Sequence, residues 1–242
     1  MSDILHNRLA WNAANDSEQD AVIEQINNQI DDLELIATEE FAGGTESHRI
    51  AVFEHKVTTI EFVLIPGEGE ISPLFVGRTP VTQKQWDKKK GADKRRRVEE
   101  MLPMDYVSYK GVLSWLRKVG PDYRLPNEDE WEYFCRAGTT TNYPWGEEMD
   151  DKRCWYEMNS NAVPQPVTEH VQYPNAFGLI DIVGNVSELC DSMWKTGDHL
   201  ARIHRGGNSN SCANHCTSSC RTRIGIKVAC ADLGFRVVRD CR

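Results

Sequence analysis

The hydrophobic pattern changes character three times along the chain. Residues 1–48 are rich in Asn, Asp, Glu and Gln, contain no proline and have no glycine before Gly43. Within them Val22, Ile23, Ile26, Ile30, Leu33 and Ile36 recur at helical intervals, behind a capping-box-like spacing of Ser17 and Asp20. This predicts one amphipathic helix over 17–36, about five turns long, and a helical N-terminal extension over 1–48. An apolar stripe of that kind docks on its own domain or carries self-association, and the heptad-like run is too short for a coiled coil.

From Glu54 the pattern becomes strand-like. Val57 to Ile65 forms an extended run stopped by Pro66-Gly67, and Leu74-Phe75-Val76-Gly77 forms a second. Pro80-Val81-Thr82 leads into a helix through Trp86. A helix near Tyr109–Val119 follows, and Pro126-Asn127 starts another that carries Glu130, Trp131, Tyr133 and Phe134. Beyond Gly138 the periodicity fades. Residues 139–232 are dominated by Gly, Asn, Ser, Pro and Trp, which predicts short strands at most and a backbone pinned by aromatics, buried hydrogen bonds or ions. There is no internal repeat.

The third change comes at the end. Arg205-Gly206-Gly207 and Leu233-Gly234-Phe235-Arg236 bracket a segment with almost no long apolar side chains. Core strands are not built that way. A polar segment between stiff ends predicts a contact surface.

Charge and cysteine usage narrow the classes. A net charge of −9 argues against a general nucleic-acid binder. The basic run Lys88–Arg97 reads as a solvated loop, since Glu99 and Glu100 follow it. No apolar run reaches membrane-spanning length, and Met1–Asn7 lacks the basic and apolar regions of a secretory signal. The expected location is the cytoplasm, or a phage or other particle assembled there. None of the 8 cysteines precedes Cys135, so reduced thiols are expected rather than disulfides.

Several motifs occur in order: Phe62-Val63-Leu64-Ile65-Pro66-Gly67, Pro80-Val81-Thr82-Gln83-Lys84-Gln85-Trp86 and Tyr123-Arg124-Leu125-Pro126-Asn127-Glu128-Asp129-Glu130-Trp131-Glu132. Gly178-Leu179-Ile180-Asp181-Ile182-Val183-Gly184-Asn185-Val186-Ser187-Glu188 and the two terminal anchors complete the series. Over about residues 55–240 the chain resembles the formylglycine-generating enzyme (sulfatase-modifying factor) family. The resemblance implies an α+β fold of C-type lectin type, formylglycine-generating-enzyme subclass, over 49–242. It also implies a structural Ca²⁺ site at Asp181, Gly184, Val186 and Glu188, whose hard oxygen donors suit that ion.

The family's enzymes oxidise a sulfatase cysteine with oxygen and copper, using two cysteines five positions apart after Arg-Gly-Gly. Here Ser211 stands at the first position and Cys216 at the second, with Cys212 one place late. A hydroxyl does not replace a thiolate on copper(I), so copper is not expected. The chain is similar also to the variable proteins of diversity-generating retroelements, in which adenine-directed mutagenesis rewrites the segment between these anchors. Asn codons are the usual targets there. Every residue from 208 to 232 except Lys227 belongs to the set that rewriting an Asn codon can reach.

The resemblance therefore implies a non-enzymatic binder with variable segment 208–232, directed at a protein or other macromolecule. Its candidate ligand residues are Asn208, Asn210, Ser211, Cys212, Asn214, His215, Ser219, Cys220, Thr222, Ile224 and Ile226, with Cys216 and Arg221 as scaffold. The alternatives are a copper-dependent oxidase using Cys216, and a relative with neither activity nor diversity. A soft-metal site of Cys212, Cys216, Cys220 and Cys230 with His215 lacks zinc-site spacing. Glu128, Glu130 and Glu132 beside Arg124 read as helix capping rather than acid–base catalysis. Trp131, Trp145, Trp155 and Trp194 read as core or scaffold.

Overall fold

The computed structural model describes residues 3–90, 97–196 and 199–241, so most of the basic run lies outside the described residues. A short 3-10 turn, Asp3–His6, precedes α1 (Arg8–Ala13) and α2 (Asp16–Gln29). A long hairpin follows, β1 (Leu33–Gly43) and β2 (Glu46–His55), and then β3 (Glu61–Ile65) and β4 (Leu74–Gly77). Next come α3 (Gln83–Lys90), α4 (Tyr109–Val119), β5 (Tyr123–Arg124) and α5 (Glu128–Arg136). The chain closes with β6 (Ser187–Thr196), β7 (His199–Arg205), β8 (Arg221–Gly225), β9 (Leu233–Gly234) and β10 (Val238–Asp240). This is an α+β architecture. Among the described residues no helix is long and apolar enough to cross a membrane.

A six-stranded sheet runs β1-β2-β3-β4-β10-β5 and a four-stranded sheet runs β8-β7-β6-β9. All pairings are antiparallel except β6 with β9. Because side chains alternate across a strand, the large sheet feeds two cores. Phe53, Phe62, Leu64 and Phe75 enter one, whereas Val52, Val63, Ile65 and Val76 enter the other. In the first core Trp86 stacks on Trp115, and Phe235 meets both rings edge-on.

The N-terminal expectation needs correction. α2 ends at Gln29, and its capping box is Asn15 with Glu18, not Ser17 with Asp20. Leu33 and Ile36 lie on β1, where their three-residue spacing mimics helical periodicity across a bulge between Leu35 and Ala37. The expected boundary at residue 48 falls inside β2, so residues 1–48 are not a separate helical extension. Val22, Ile23, Ile26 and Ile30 are buried in the same core as Phe53 and Trp115, each contributing about 1.5–3 kcal/mol. The helix face expected to offer self-association is therefore covered by its own chain.

Elsewhere the local signals lead directly to elements. Ser108 caps α4 by accepting from Gly111 N–H, and Val112, Trp115 and Leu116 form its buried stripe. Asn127 and Glu130 form a capping box on α5, and Ala137 ends that helix in the left-handed region. Glu130 and Glu132 are tied to arginines, Arg124 for the first and Arg136 and Arg205 for the second. The strand expected over 57–65 begins only at Glu61, after a turn in which Thr59 has φ +57°. The expectation of short strands at most after Gly138 also fails. β6 and β7 form a hairpin of 10 and 7 residues, hidden in the sequence by a register break between Leu189 and Met193.

Candidate functional site

The polar segment starts where β7 ends. Gly206 and Gly207 have φ +88° and +68°, the left-handed region that favours glycine. A Cβ on Gly207 would lie 2.5 Å from the His215 carbonyl oxygen and 2.8 Å from Cys216 Sγ. Arg205, buried beside them, donates through Nη1 to Ser219 O at 2.9 Å and through Nη2 to Ser218 O at 3.2 Å. Its guanidinium also pairs with Glu132 and lies over the Trp131 ring.

From there the chain alternates between tied and open positions. Ser209, Cys216 and Ser218 are fully buried. Ser209 N–H donates to Asn185 O, Ser160 Oγ donates to Ser209 O, and Ser218 N–H donates to Asn142 O. Between these fixed points Asn210, Asn214, His215 and Ser219 are exposed, and Thr222 is exposed on β8. Asn208, Ser211, Cys212, Cys220, Ile224 and Ile226 are half-buried. None of the eleven candidate ligand residues is buried.

Some of the eleven nevertheless hold the frame. Asn208 Oδ1 accepts from Asn210 N–H and Ser211 Oγ, and its Nδ2 donates to Ser187 Oγ. Ser211 Oγ accepts from Asn208 N–H in return, and Ser211 O accepts from Glu157 N–H. Ile224 packs on the first core. Sequence reasoning missed neighbours of the open positions. Met158, on the turn that meets Ser211, is exposed, and the Arg221 and Arg223 guanidiniums lie 4.6 and 5.4 Å from the Trp194 ring centre. No sequence signal marks Met158, because its neighbourhood comes from a contact between distant segments.

The cysteines do not assemble. Cys216 lies in the second core and Cys230 packs on the first, while Cys212 Sγ is 3.6 Å from His215 Nδ1. All eight thiols are free. Among the described residues no group of three or more His, Cys, Asp or Glu is arranged to hold a metal ion, so the Cys212, Cys216, Cys220, Cys230 and His215 set is not a centre. Cys154, from the 139–160 turns, is buried against Cys216, and this contact together with burial pushes its thiol well up. A neutral buried thiol is not an activated nucleophile. Ser211 occupies the other position of the spacing with a hydroxyl already spent on Asn208.

The residues expected to hold calcium have other partners. Glu188, fully buried, takes Arg236 Nη2 at 2.8 Å and Trp131 Nε1 at 2.8 Å. Asp181 Oδ1 lies 2.9 Å from His170 Nδ1, and Asp181 Oδ2 accepts from Asn185 Nδ2 at 2.8 Å. A Cβ on Gly184 would lie 2.4 Å from the Trp155 carbonyl oxygen, so this turn is packed against the 154–155 backbone. Calcium takes about six to eight oxygens, and with both carboxylates so engaged the set does not fit it. Adding EGTA is expected to leave the melting temperature unchanged. A fall that Ca²⁺ restores would mean that the carboxylates give up their present partners for the ion.

Residues 22–241 fit the profile of the sulfatase-modifying factor enzyme 1-like domain. Inactive C-alpha-formylglycine-generating enzyme 2 of Bos taurus is 30% identical over 173 residues, 65% of this chain and 56% of its own length. Formylglycine-generating enzyme of Mus musculus is 25% identical over 189 residues, 66% of this chain and 50% of its own length. The chain thus spans about half the length of the curated relatives it matches. Among solved structures, Treponema denticola variable protein 1 superposes with a TM-score of 0.61 and 21% identity, covering 85% of this chain and 99% of that one. CarF gives 0.62 and 16%, covering 86% and 98%. These structural likenesses bear out the expected fold.

Proposed function

Since the chain belongs to the sulfatase-modifying factor enzyme 1-like domain family, we propose that it is a non-enzymatic binding protein using this fold as a rigid display frame. The ligand face is the exposed set Asn210, Asn214, His215, Ser219 and Thr222 with the half-buried Cys212, Cys220 and Ile226, and Asn208, Ser211 and Ile224 support it. The carrying observation is the alternation of tied and open positions, because side chains can change there without moving the backbone that presents them. Short Asn, Ser, Thr and His side chains supply adaptable hydrogen bonds to a macromolecular partner. The composition of 208–232 supports rewriting by a retroelement. Ser211 in place of a first cysteine weighs against the copper-dependent oxidase.

The test combines stability with genetics. Replacing Asn210, Asn214, His215, Ser219 and Thr222 by alanine is expected to change stability by no more than about 0.5 kcal/mol each. Asn208→Ala, which removes three side-chain hydrogen bonds, is expected to lose about 1–3 kcal/mol. Loss of folding in the five-site variant would refute the display face. A nearby gene copy of codons 205–236 that differs only at adenines would establish the rewriting, and its absence would remove that part of the reading.

A further inference from the structure

The four-stranded sheet ends at β8, so the outer edge of Arg221–Gly225 is paired with no other strand among the described residues. Its register against β7 fixes which side chains share a face. Arg221 lies opposite Arg205 and Arg223 opposite Ile203, while Thr222 lies opposite His204 and Ile224 opposite Arg202. Arg221 and Arg223 therefore point to one side, where both reach the Trp194 ring. Thr222 and Ile224 point to the other. Alternate backbone N–H and C=O groups of such a strand face outward and can extend the sheet.

A second copy of β8 is a poor occupant. Pairing β8 with itself, antiparallel about Arg223 or parallel in register, sets arginine opposite arginine, and like charges directly opposite destabilise a strand pair. The complementary strand carries carboxylates at every second position and apolar residues between them. The arginines of this edge already have partners. Arg221 pairs with Glu128 at 2.9 Å and Arg202 with Asp191 at 2.8 Å, yet a guanidinium offers about five N–H donors. Burial pushes the His204 imidazole down to about 4, so at neutral pH arginines supply the charge. In a chain of net charge −9 this is a local basic edge.

We propose that β8 receives an extended acidic segment of a partner protein by strand addition, its carboxylates against Arg221 and Arg223 and its apolar side chains against Thr222 and Ile224. This rests on the reading of the segment as a ligand face and names the kind of ligand. It implies recognition of a main-chain path plus an alternating acidic pattern, rather than of a folded epitope.

The test uses the full chain and a capped peptide, Thr-Glu-Val-Glu-Val-Thr, followed by titration calorimetry and amide exchange. Binding is expected to protect β8 amides and to weaken as salt rises. The analogue with Lys for Glu should bind about tenfold more weakly. Methylating alternate peptide nitrogens, which removes the ladder donors, should abolish binding. Arg223→Glu should reverse the preference toward the Lys peptide, and its melting temperature reports whether it folds. Arg221→Ser gives a second, milder variant.

Equal binding of the two peptides, indifference to N-methylation, or no binding at millimolar peptide would overturn strand addition. Self-association of the protein alone, broken by Arg223→Glu, would overturn it in favour of a second copy. Tolerance of the five-site alanine variant is independent of these outcomes, so a failed peptide experiment leaves the display face standing.

Discussion

Arg236→Leu is expected to lower stability by about 3–5 kcal/mol, the cost of leaving a buried carboxylate without its cation. Arg236 and Glu188 are both fully buried. The guanidinium also donates to Gly77 O at 2.7 Å and Ile180 O at 2.9 Å, so one side chain joins β4, β6 and the 178–186 loop. Burial pushes the Glu188 carboxyl up, while Arg236 and Trp131 pull it back down. Without Arg236 only Trp131 remains. Glu188→Leu should be comparably damaging, because it strands the cation. The double variant should lose less than the sum of the two, since two apolar groups need no partners. Urea unfolding of the three variants forms the cycle. Additive losses would mean that the groups do not act as a pair, and a single-variant loss below about 1 kcal/mol would mean that water reaches them.

Gly207→Ala is the second large effect. Left-handed backbone costs a non-glycine residue about 1–2 kcal/mol. The new Cβ also meets a carbonyl oxygen at 2.5 Å, and overpacking adds about 1–3 kcal/mol. At about 2–4 °C per kcal/mol for a chain of this size, the melting temperature should fall by roughly 4–20 °C. Gly69→Ala is the control, because Gly69 has φ +60° with no atom within 4 Å of its Cβ position. It isolates the conformational cost. Equal losses at the two glycines would leave no room for the clash. A large difference would locate the rigidity of the display frame at the Gly207–His215 contact.

Legibility in the sequence followed locality. α4 and α5 could be read near Tyr109–Val119 and after Pro126-Asn127, because a helix is specified within a few residues. The terminal anchors could be read because glycines permit the left-handed backbone that the turn after Arg205 uses. The β1–β2 hairpin was not legible, since Ile30, Leu33 and Ile36 continue the helical interval by coincidence and only pairing with β2 decides the matter. For the candidate site, the polarity of 208–226 foretold exposed positions but not that Ser209, Cys216 and Ser218 among them are fully buried. It did not foretell that Asn208 reaches Ser187, or that Arg236 and His170 engage the carboxylates expected to bind calcium. Those partners lie 21, 48 and 11 positions away, and no short window contains both members.

β7 and β9 flank β6 on either side, so the chain leaves β7 at Arg205 and enters β9 at Leu233 with these two ends about 10 Å apart, two strand spacings. The path between them has a mouth set by β6, and within it the chain is tied again by β8 and by the buried Ser209, Cys216 and Ser218. Closure entropy grows only with the logarithm of loop length, about 0.6 kcal/mol for each doubling. At the exposed turn around Asn214, between the ties at Ser209 and Cys216, added length is accordingly expected to cost little. A display face that accepts substitutions at that turn is expected to accept inserted residues as well.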